Sequence, residues 1–580
     1  MSPTSTQAAR RRRLLTRALP IAFLGLVAFA AGLIVGAAHT NVAGVQRFAD
    51  DWERGDFAGM YAELGSASAS HYTLAQFTSD YDNAERTATV KSLSTGDVSE
   101  DEAGGRRVAV VPVTLDTNAF GQIAGNLTVP LDGDSVDWAP NLVFPGLAPK
   151  ERLVRRTRVP TRASILARDG TPLAEGPATA RSSPLGAAAV NVAGEVSTPK
   201  APENRELMRL GFPPAAPTGT SGLELAFNRR LAGRPGGELV AVGNRASRPS
   251  VGGRIIVSSD PVPGKPVHTT IDPDLQRSAA VALGGQYGGV AVLDAKTGAV
   301  LALAGIAFSG PQPPGSTFKV ITTTAALDAG VVKLSDQFPI TTSTVVDGRE
   351  IDNANMEACG GSFVQAFAES CNAVFAPLGP KIGSQRLVDT AERFGFNSPL
   401  TLFDEGAVRA LHAPESTIPS TIPSDLDLAV SAIGQGKVLA TPFEMASVAQ
   451  TIANRGTRSP NEMVTDRALR SSAGPVQVTS PEIASTLRSL MIGVVQNGTG
   501  TAAALPGIQV AGKTGTAELG PNPTGSAGAA QQIDAWFTAF APASAPKLVA
   551  AAMVVNASGD GGTVAAPIVR QVLATGLGVG

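Results

Sequence analysis

Ser316 and Lys319 stand three positions apart in the stretch PPGSTFKVITTTAALDAG. On a helix that spacing sets both side chains on one face, within hydrogen-bond reach. Serine is a poor nucleophile until a base takes its proton, and a lysine desolvated in a closed site has its pKa lowered from ~10.4 far enough to serve. Pro313-Pro314-Gly315 breaks the chain just before, so a helix is expected to begin at Ser316, presenting its N–H groups and positive end to a developing oxyanion. Two further Ser-x-x-Lys strings, STPK at Ser197 and SAPK at Ser544, carry proline before the lysine and lie in loop-like sequence. Proline there disfavours the helical turn that would bring the pair together, so both are read as accidental.

Two more groups of chemical interest follow in order. FAESCNAVFAPLG holds Ser370-Cys371-Asn372, in which a second hydroxyl can relay a proton to a leaving amine and the Asn amide can hold a substrate amide. PGIQVAGKTGTAELG then gives a strand with Lys513, Thr514, Gly515 and Thr516. A cation and hydroxyls there can bind a carboxylate, Gly515 leaves room for substrate along the strand, and the Thr516 N–H can complete an oxyanion hole. Lys-Thr-Gly also occurs at Lys296 to Gly298, in GGVAVLDAKTGAVLALAG. Two apolar runs flank that copy, so it reads as a hairpin turn with Gly298 at positive φ and Lys296 exposed.

The ordered set Ser316-Thr317-Phe318-Lys319, Ser370-Cys371-Asn372 and Lys513-Thr514-Gly515 resembles the three motifs of the serine penicillin-recognising enzymes. PPGSTFKVIT, AIGQGKVLATPFEMASVAQTIANRG and VVQNGTGTAA, with GLE near Glu224 and TTIDPDLQ at Thr269 to Gln276, make it similar to a class B penicillin-binding protein. The segment from Leu303 to Pro313 is short for that family, and RASILARDG is a loose version of its Arg-Gly opening. The resemblance implies a peptidoglycan D,D-transpeptidase. Ser316 would attack the D-Ala-D-Ala end of a stem peptide, release D-Ala and pass the acyl group to a neighbouring amine, and β-lactams would acylate the same serine. Ser316, Lys319, Ser370, Asn372 and Lys513 would be catalytic, and Thr514, Gly515 and Thr516 would bind substrate. No cofactor is implied. A D,D-carboxypeptidase would use the same residues with water as acceptor, a β-lactamase or β-lactam sensor needs no large preceding domains, and a silent scaffold for the wall machinery would keep the motifs as relics. The transpeptidase is the expected reading.

These groups need a positioning frame, and 580 residues are too many for one ordinary core. A hydrophobic fraction of 43% excludes a largely disordered chain, while a net charge of -2 gives no reason to invoke nucleic acid. Arg10 to Arg13 and Arg17 precede the uncharged run Ala18 to Ala38, which as a helix spans about 31 Å, close to the ~30 Å hydrocarbon core. Residues 1–17 are therefore expected in the cytoplasm, 18–38 as a single plasma-membrane anchor, and the remainder outside, with a cleaved signal peptide as the other possibility. Residues 43–148 read as helices followed by alternating strands from Glu85 to Phe144, an α+β domain that resembles the NTF2-like domain of some penicillin-binding proteins. A β-rich pedestal over 149–284 and an α/β transpeptidase domain over 285–580, an antiparallel sheet with flanking helices, complete the expected multidomain α/β and α+β chain. Partners implied are stem peptides, β-lactams, the plasma membrane and division or elongation machinery. Cys359 and Cys371 form either a disulfide closing a short loop or two buried thiols. His39, His71, His268 and His412 are scattered, without metal spacing.

Overall fold

The computed structural model describes residues 42–244, 252–400, 402, 414–518 and 532–579. The expected tail (1–17) and apolar run (18–38) lie outside them. Among the described residues no helix is long and apolar enough to cross a membrane. Two units separate. One comprises Met1–Val159, Pro202–Pro214 and Arg234–Pro261; the other comprises Pro160–Ala201, Ala215–Gly233 and Val262–Gly580. The stretch expected as a pedestal contributes to both.

In the first unit, α1 (Ala43–Arg54) buries Val45, Phe48, Ala49 and Trp52 on one face, as their spacing predicts. It ends at Gly55 in the left-handed conformation. A helix that the sequence reading lacks, α2 (Leu74–Ala88), starts at the Thr73 cap and buries Phe77, Tyr81, Ala84 and Ala88. It absorbs the residues from Glu85 that were expected to open a strand. The last turns of its buried stripe consist of alanines, so the β-branched Thr87, Thr89 and Val90 outweighed the helical period. Strands β1 (Val90–Thr95), β2 (Ser99–Ala103), β3 (Arg106–Thr117), β4 (Gly121–Asp132) and β5 (Ser135–Val136) form one sheet, ordered β1-β3-β4-β5 with β2 on β3. The end of the stretch expected as strands up to Phe144 reduces to β5 and a 3-10 turn at Pro140–Val143. Strands β6 (Glu151–Arg158), β7 (Gly236–Gly243) and β8 (Arg254–Ser259) make a second sheet, ordered β8-β7-β6.

The second unit is built on a five-stranded antiparallel sheet. Its members are β9 (Gly288–Asp294), β10 (Val300–Gly305), β11 (Ala511–Glu518), β12 (Ile533–Ala541) and β13 (Leu548–Val554), in the order β10-β9-β13-β12-β11. Alternate residues serve two cores. Val290, Val292, Phe537, Ala550 and Ala552 pack with α3 (Pro273–Leu283) and α9 (Ala566–Leu577). Ala291, Leu293, Trp536, Val549 and Met553 face the opposite core with α4 (Lys319–Asp328), α7 (Pro442–Ala453) and α8 (Pro481–Asn497). With both faces covered, the strands read as unbroken apolar runs such as LVAAAMV, rather than as half-polar alternation. The edge strand β10 is closed by a side chain. Gln276 Oε1 accepts from Leu303 N (2.9 Å) and its Nε2 donates to Leu303 O (2.7 Å), satisfying groups a free edge would expose.

The GLE phrase and the RASILARDG opening meet in this unit. Arg162 donates to Glu224 Oε2 through Nε (2.7 Å) and Nη2 (2.5 Å), and Arg181 Nε donates to Glu224 Oε1 at 2.7 Å. Glu224 is 1% exposed and lies between two guanidinium groups, with Arg162 also held by Asn228 Oδ1. Both phrases thus serve one buried ion-pair network.

Candidate active site

The Ser316 turn and the strand β11 come into backbone contact. Gly315 has φ +52°, and a Cβ there would stand 2.6 Å from Thr516 O. A Cβ on Gly515 would stand 2.6 Å from Pro314 O. Both glycines are thus required by the same close approach. The α-helix begins at Lys319, later than expected, and residues Gly315–Phe318 form a 3-10 turn. In a 3-10 turn side chains at i and i+3 eclipse, which keeps Ser316 and Lys319 on one face, but the expected hydrogen bond between them is not formed, because Lys319 Nζ turns to Ser370 and Asn372. Thr317 Oγ1, donating to Pro314 O at 2.7 Å, secures that turn. Ser316 Oγ has no hydrogen-bond partner among the described residues and is partly exposed.

Lys319 is completely buried in α4, whose first two turns are buried on all sides. Its Nζ donates to Ser370 O at 2.6 Å and to Asn372 Oδ1 at 2.7 Å, with Ser370 Oγ farther at 3.4 Å. Burial, with the charge of Lys513 nearby, pushes its pKa well below the ordinary lysine value. Three oxygens surround this amine, and its lowered pKa favours the neutral form, whose lone pair can take a proton. A base in waiting has that form. Lys513, equally buried, donates to Ser370 Oγ at 2.8 Å and to Thr514 O at 3.2 Å. Burial lowers its pKa to about 7. Both amines lie near aromatic rings, Lys319 Nζ 5.2 Å from the Phe375 centroid and Lys513 Nζ 5.6 Å from that of Phe367. Neither has an acidic partner among the described residues.

Ser370 is therefore the hydroxyl at which the two lysines converge, and its backbone explains how it reaches them. Helix α5 (Phe363–Ala368) ends in a Schellman motif, with Cys371 N donating to Ala366 O (2.9 Å) and Ser370 N to Phe367 O (3.2 Å). Ser370 occupies the left-handed position with φ +63°, where glycine is usual. The short helix α6 (Asn372–Phe375) follows at once. Cys371 is disulfide-bonded to Cys359, with Cα atoms 5.8 Å apart, tying this junction to the strand Cys359–Ser362.

On β11, Thr514 Oγ1 lies 2.6 Å from Thr499 Oγ1, and Thr499 Oγ1 also bonds Ala368 O at 3.4 Å. Thr499, which the sequence reading did not single out, links β11 to the end of α5; its only signal was the NGTG phrase. Thr516 Oγ1 accepts from Gly561 N at 3.4 Å. The first Lys-Thr-Gly sits elsewhere. Asp294 Oδ1 accepts from Lys296 N, Thr297 N and Thr297 Oγ1 in the turn joining β9 to β10, Gly298 has φ +73°, and Lys296 is exposed. Ser197 and Ser544 are exposed and far from this constellation in the chain.

A free serine hydroxyl three residues before a buried lysine, with a second serine between two lysines, is an arrangement suited to acyl transfer of the Ser-Lys kind. Residues 288–574 match the penicillin-binding protein transpeptidase domain. The chain is 37% identical over 289 residues to the peptidoglycan D,D-transpeptidase PbpA of Mycobacterium tuberculosis, and 38% over 293 residues to that of Mycolicibacterium smegmatis. Each match covers 47% of this chain and 56% of the relative, so the chain spans little more than half the length of these curated relatives. Among solved structures, a ceftriaxone acyl-enzyme of penicillin-binding protein A from M. tuberculosis superposes with TM-score 0.55 at 28% identity, covering 72% of this chain and 98% of that one. The D,D-transpeptidase domain of a peptidoglycan glycosyltransferase from Eggerthella lenta gives 0.56 at 29%, with the same coverage. Residues 288–574 thus belong to the penicillin-binding protein transpeptidase family.

Proposed function

We propose that the protein is a peptidoglycan D,D-transpeptidase. The observation that carries this is the convergence of Lys319 and Lys513 on Ser370 Oγ beside the unpartnered Ser316 hydroxyl. Ser316 Oγ attacks the penultimate D-Ala carbonyl and gives its proton to the neutral Lys319 amine. The oxyanion is held by the backbone N–H groups of Ser316 and Thr516. As the tetrahedral species collapses, the proton passes through Ser370 Oγ to the departing D-Ala nitrogen. Lys513, Thr514 and Thr516 hold the substrate carboxylate, Gly515 admits the peptide along β11, and Asn372 holds an amide of the acyl side. An acceptor amine then attacks the ester and sheds a proton to Lys319, which passes it to the departing Ser316 Oγ. A β-lactam, whose ring amide breaks in place of the peptide bond, stops at the ester.

The transpeptidase domain corresponds to residues 285–580 and the pedestal to 149–284. Residues 43–148 form the NTF2-like domain, a reading supported by helices preceding an antiparallel sheet. Residues 18–38 anchor the chain in the plasma membrane with 1–17 in the cytoplasm, which the arginine cluster and uncharged run support. Division or elongation machinery would be the partner. Supplying stem peptide with and without an acceptor amine tests the reaction. Cross-linked product is expected; D-Ala release without cross-links under any condition would select the carboxypeptidase instead.

A further inference from the structure

Asn372 presents its carboxamide in one orientation because of a neighbouring segment that no motif contains. Its Oδ1 accepts from Lys319 Nζ (2.7 Å), and its Nδ2 donates one hydrogen to Asp352 O (2.9 Å). A carboxamide has two N–H bonds, so one remains for a substrate carbonyl. Asp352 closes the hairpin of Ser343–Val346 and Arg349–Asp352, and Asn353 follows it. Asn353 is only 5% exposed, with every polar atom of its side chain used. Its Nδ2 donates to Thr341 O (2.8 Å) and Glu357 O (2.9 Å), and its Oδ1 accepts from Ala373 N (2.8 Å).

The last bond repairs a defect in α6. A helix start leaves its first N–H groups without partners, and a cap residue normally supplies an oxygen. Here the cap position is Cys371, whose side chain makes no cap hydrogen bond and whose sulfur is committed to Cys359. Asn353 Oδ1 supplies the cap from a distant part of the chain, on the residue directly after Asn372. The backbone of Asn353 is pinned as well, its N donating to Thr342 O (2.8 Å) and its O accepting from Met356 N (3.0 Å). The dipeptide Asp352-Asn353 thus holds Asn372 at its amide, through Asp352 O, and the next residue, Ala373, at its backbone N–H, through Asn353 Oδ1.

We infer that Asn353 is a positioning residue for recognition of the acyl-side amide: it caps α6 from outside and, with Asp352 O, aims the free N–H of Asn372 at the substrate carbonyl. This rests on the proposed function. Its consequence is a change in selectivity between substrates, which loss of fold stability alone does not produce. Benzylpenicillin carries an acyl-side amide carbonyl, and 6-aminopenicillanic acid lacks it.

The test measures second-order acylation rates of the full chain for both compounds, with melting temperature as control, in the wild type, Asn353→Ala and Asn353→Asp. Asn372→Ala provides the reference for complete loss. In Asn353→Ala the benzylpenicillin rate should fall at least tenfold and the 6-aminopenicillanic acid rate by clearly less, moving the ratio of the two at least fivefold toward that of Asn372→Ala. Asn353→Asp keeps the oxygen that caps Ala373 and should hold its ratio nearer the wild type, even where its melting temperature drops; it also serves if Asn353→Ala fails to fold. A wild-type ratio in Asn353→Ala, equal losses for both compounds, or an Asn353→Asp ratio shifted as far as that of Asn372→Ala would overturn the inference while leaving the proposed function standing. A wild-type chain that forms no adduct with either compound would overturn the proposed function, and the inference with it.

Discussion

Replacing Ser370 separates its backbone role from its chemical one. The hydroxyl bridges Lys513 (2.8 Å) and Lys319 (3.4 Å), while the backbone sits at φ +63° in the C′ position of the α5 Schellman motif. Ser370→Gly and Ser370→Ala both delete the bridge, so their stability difference isolates the backbone. An L residue pays roughly 1–2 kcal/mol to adopt the left-handed conformation, and glycine loses roughly 0.5–1 kcal/mol more chain freedom on folding than alanine. The balance favours Ser370→Gly over Ser370→Ala by about 1 kcal/mol. Glycine is ordinarily the less stable of the two inside an element, so the predicted order is inverted. For a unit of this size the gap corresponds to about 2 °C in melting temperature. Differential scanning calorimetry of the two variants reads it directly, and a labelled-penicillin assay on the same samples should show acylation reduced equally in both. An alanine variant as stable as the glycine variant would refute the strain argument. Acylation retained in either would refute the relay assigned to the hydroxyl.

Acylation kcat/KM should rise with pH as Lys319 reaches its base form, well below the ordinary lysine pKa. It should then fall above about pH 7, as Lys513 loses the proton that attracts the carboxylate; a stopped-flow pH profile checks both limbs, and Lys513→Arg should move the alkaline limb upward. Because both folded-state values are depressed, the unfolded chain binds more protons over the window from about 7 to 10.5 set by Lys513, and stability should increase with pH there. Glu224→Ala leaves Arg162 and Arg181 buried without their carboxylate and should cost about 3–5 kcal/mol in denaturant unfolding. Lys296→Ala removes an exposed turn side chain and should leave stability within about 0.5 kcal/mol and acylation unchanged in the same assays.

The three motifs were legible because short-range spacing carries their chemistry. Serine and lysine three apart, and a strand with glycine beside a cation, announce themselves in the letters. The hairpin at Lys296 was equally legible, since aspartate, glycine and two flanking apolar runs dictate a turn. Asn353 was not, because a cap supplied across 20 residues has no local pattern, and Asn-Ala-Asn reads as an ordinary loop. The left-handed backbone of Ser370 was hidden for a similar reason. Schellman ends are normally signalled by glycine, and here the functional hydroxyl took its place. The end of α2 was obscured by alanines at its buried positions, and the start of α4 by a 3-10 turn that preserves the i, i+3 alignment while shifting the α-helical boundary to Lys319.

The central claim is that Ser316 is the acylated nucleophile. Incubating the full chain with labelled penicillin and mapping the adduct by peptide mass spectrometry tests it most directly. The account predicts one adduct, on the peptide containing Ser316, and none in Ser316→Ala. An adduct on another residue, or a Ser316→Ala chain that labels as the wild type does, would contradict it.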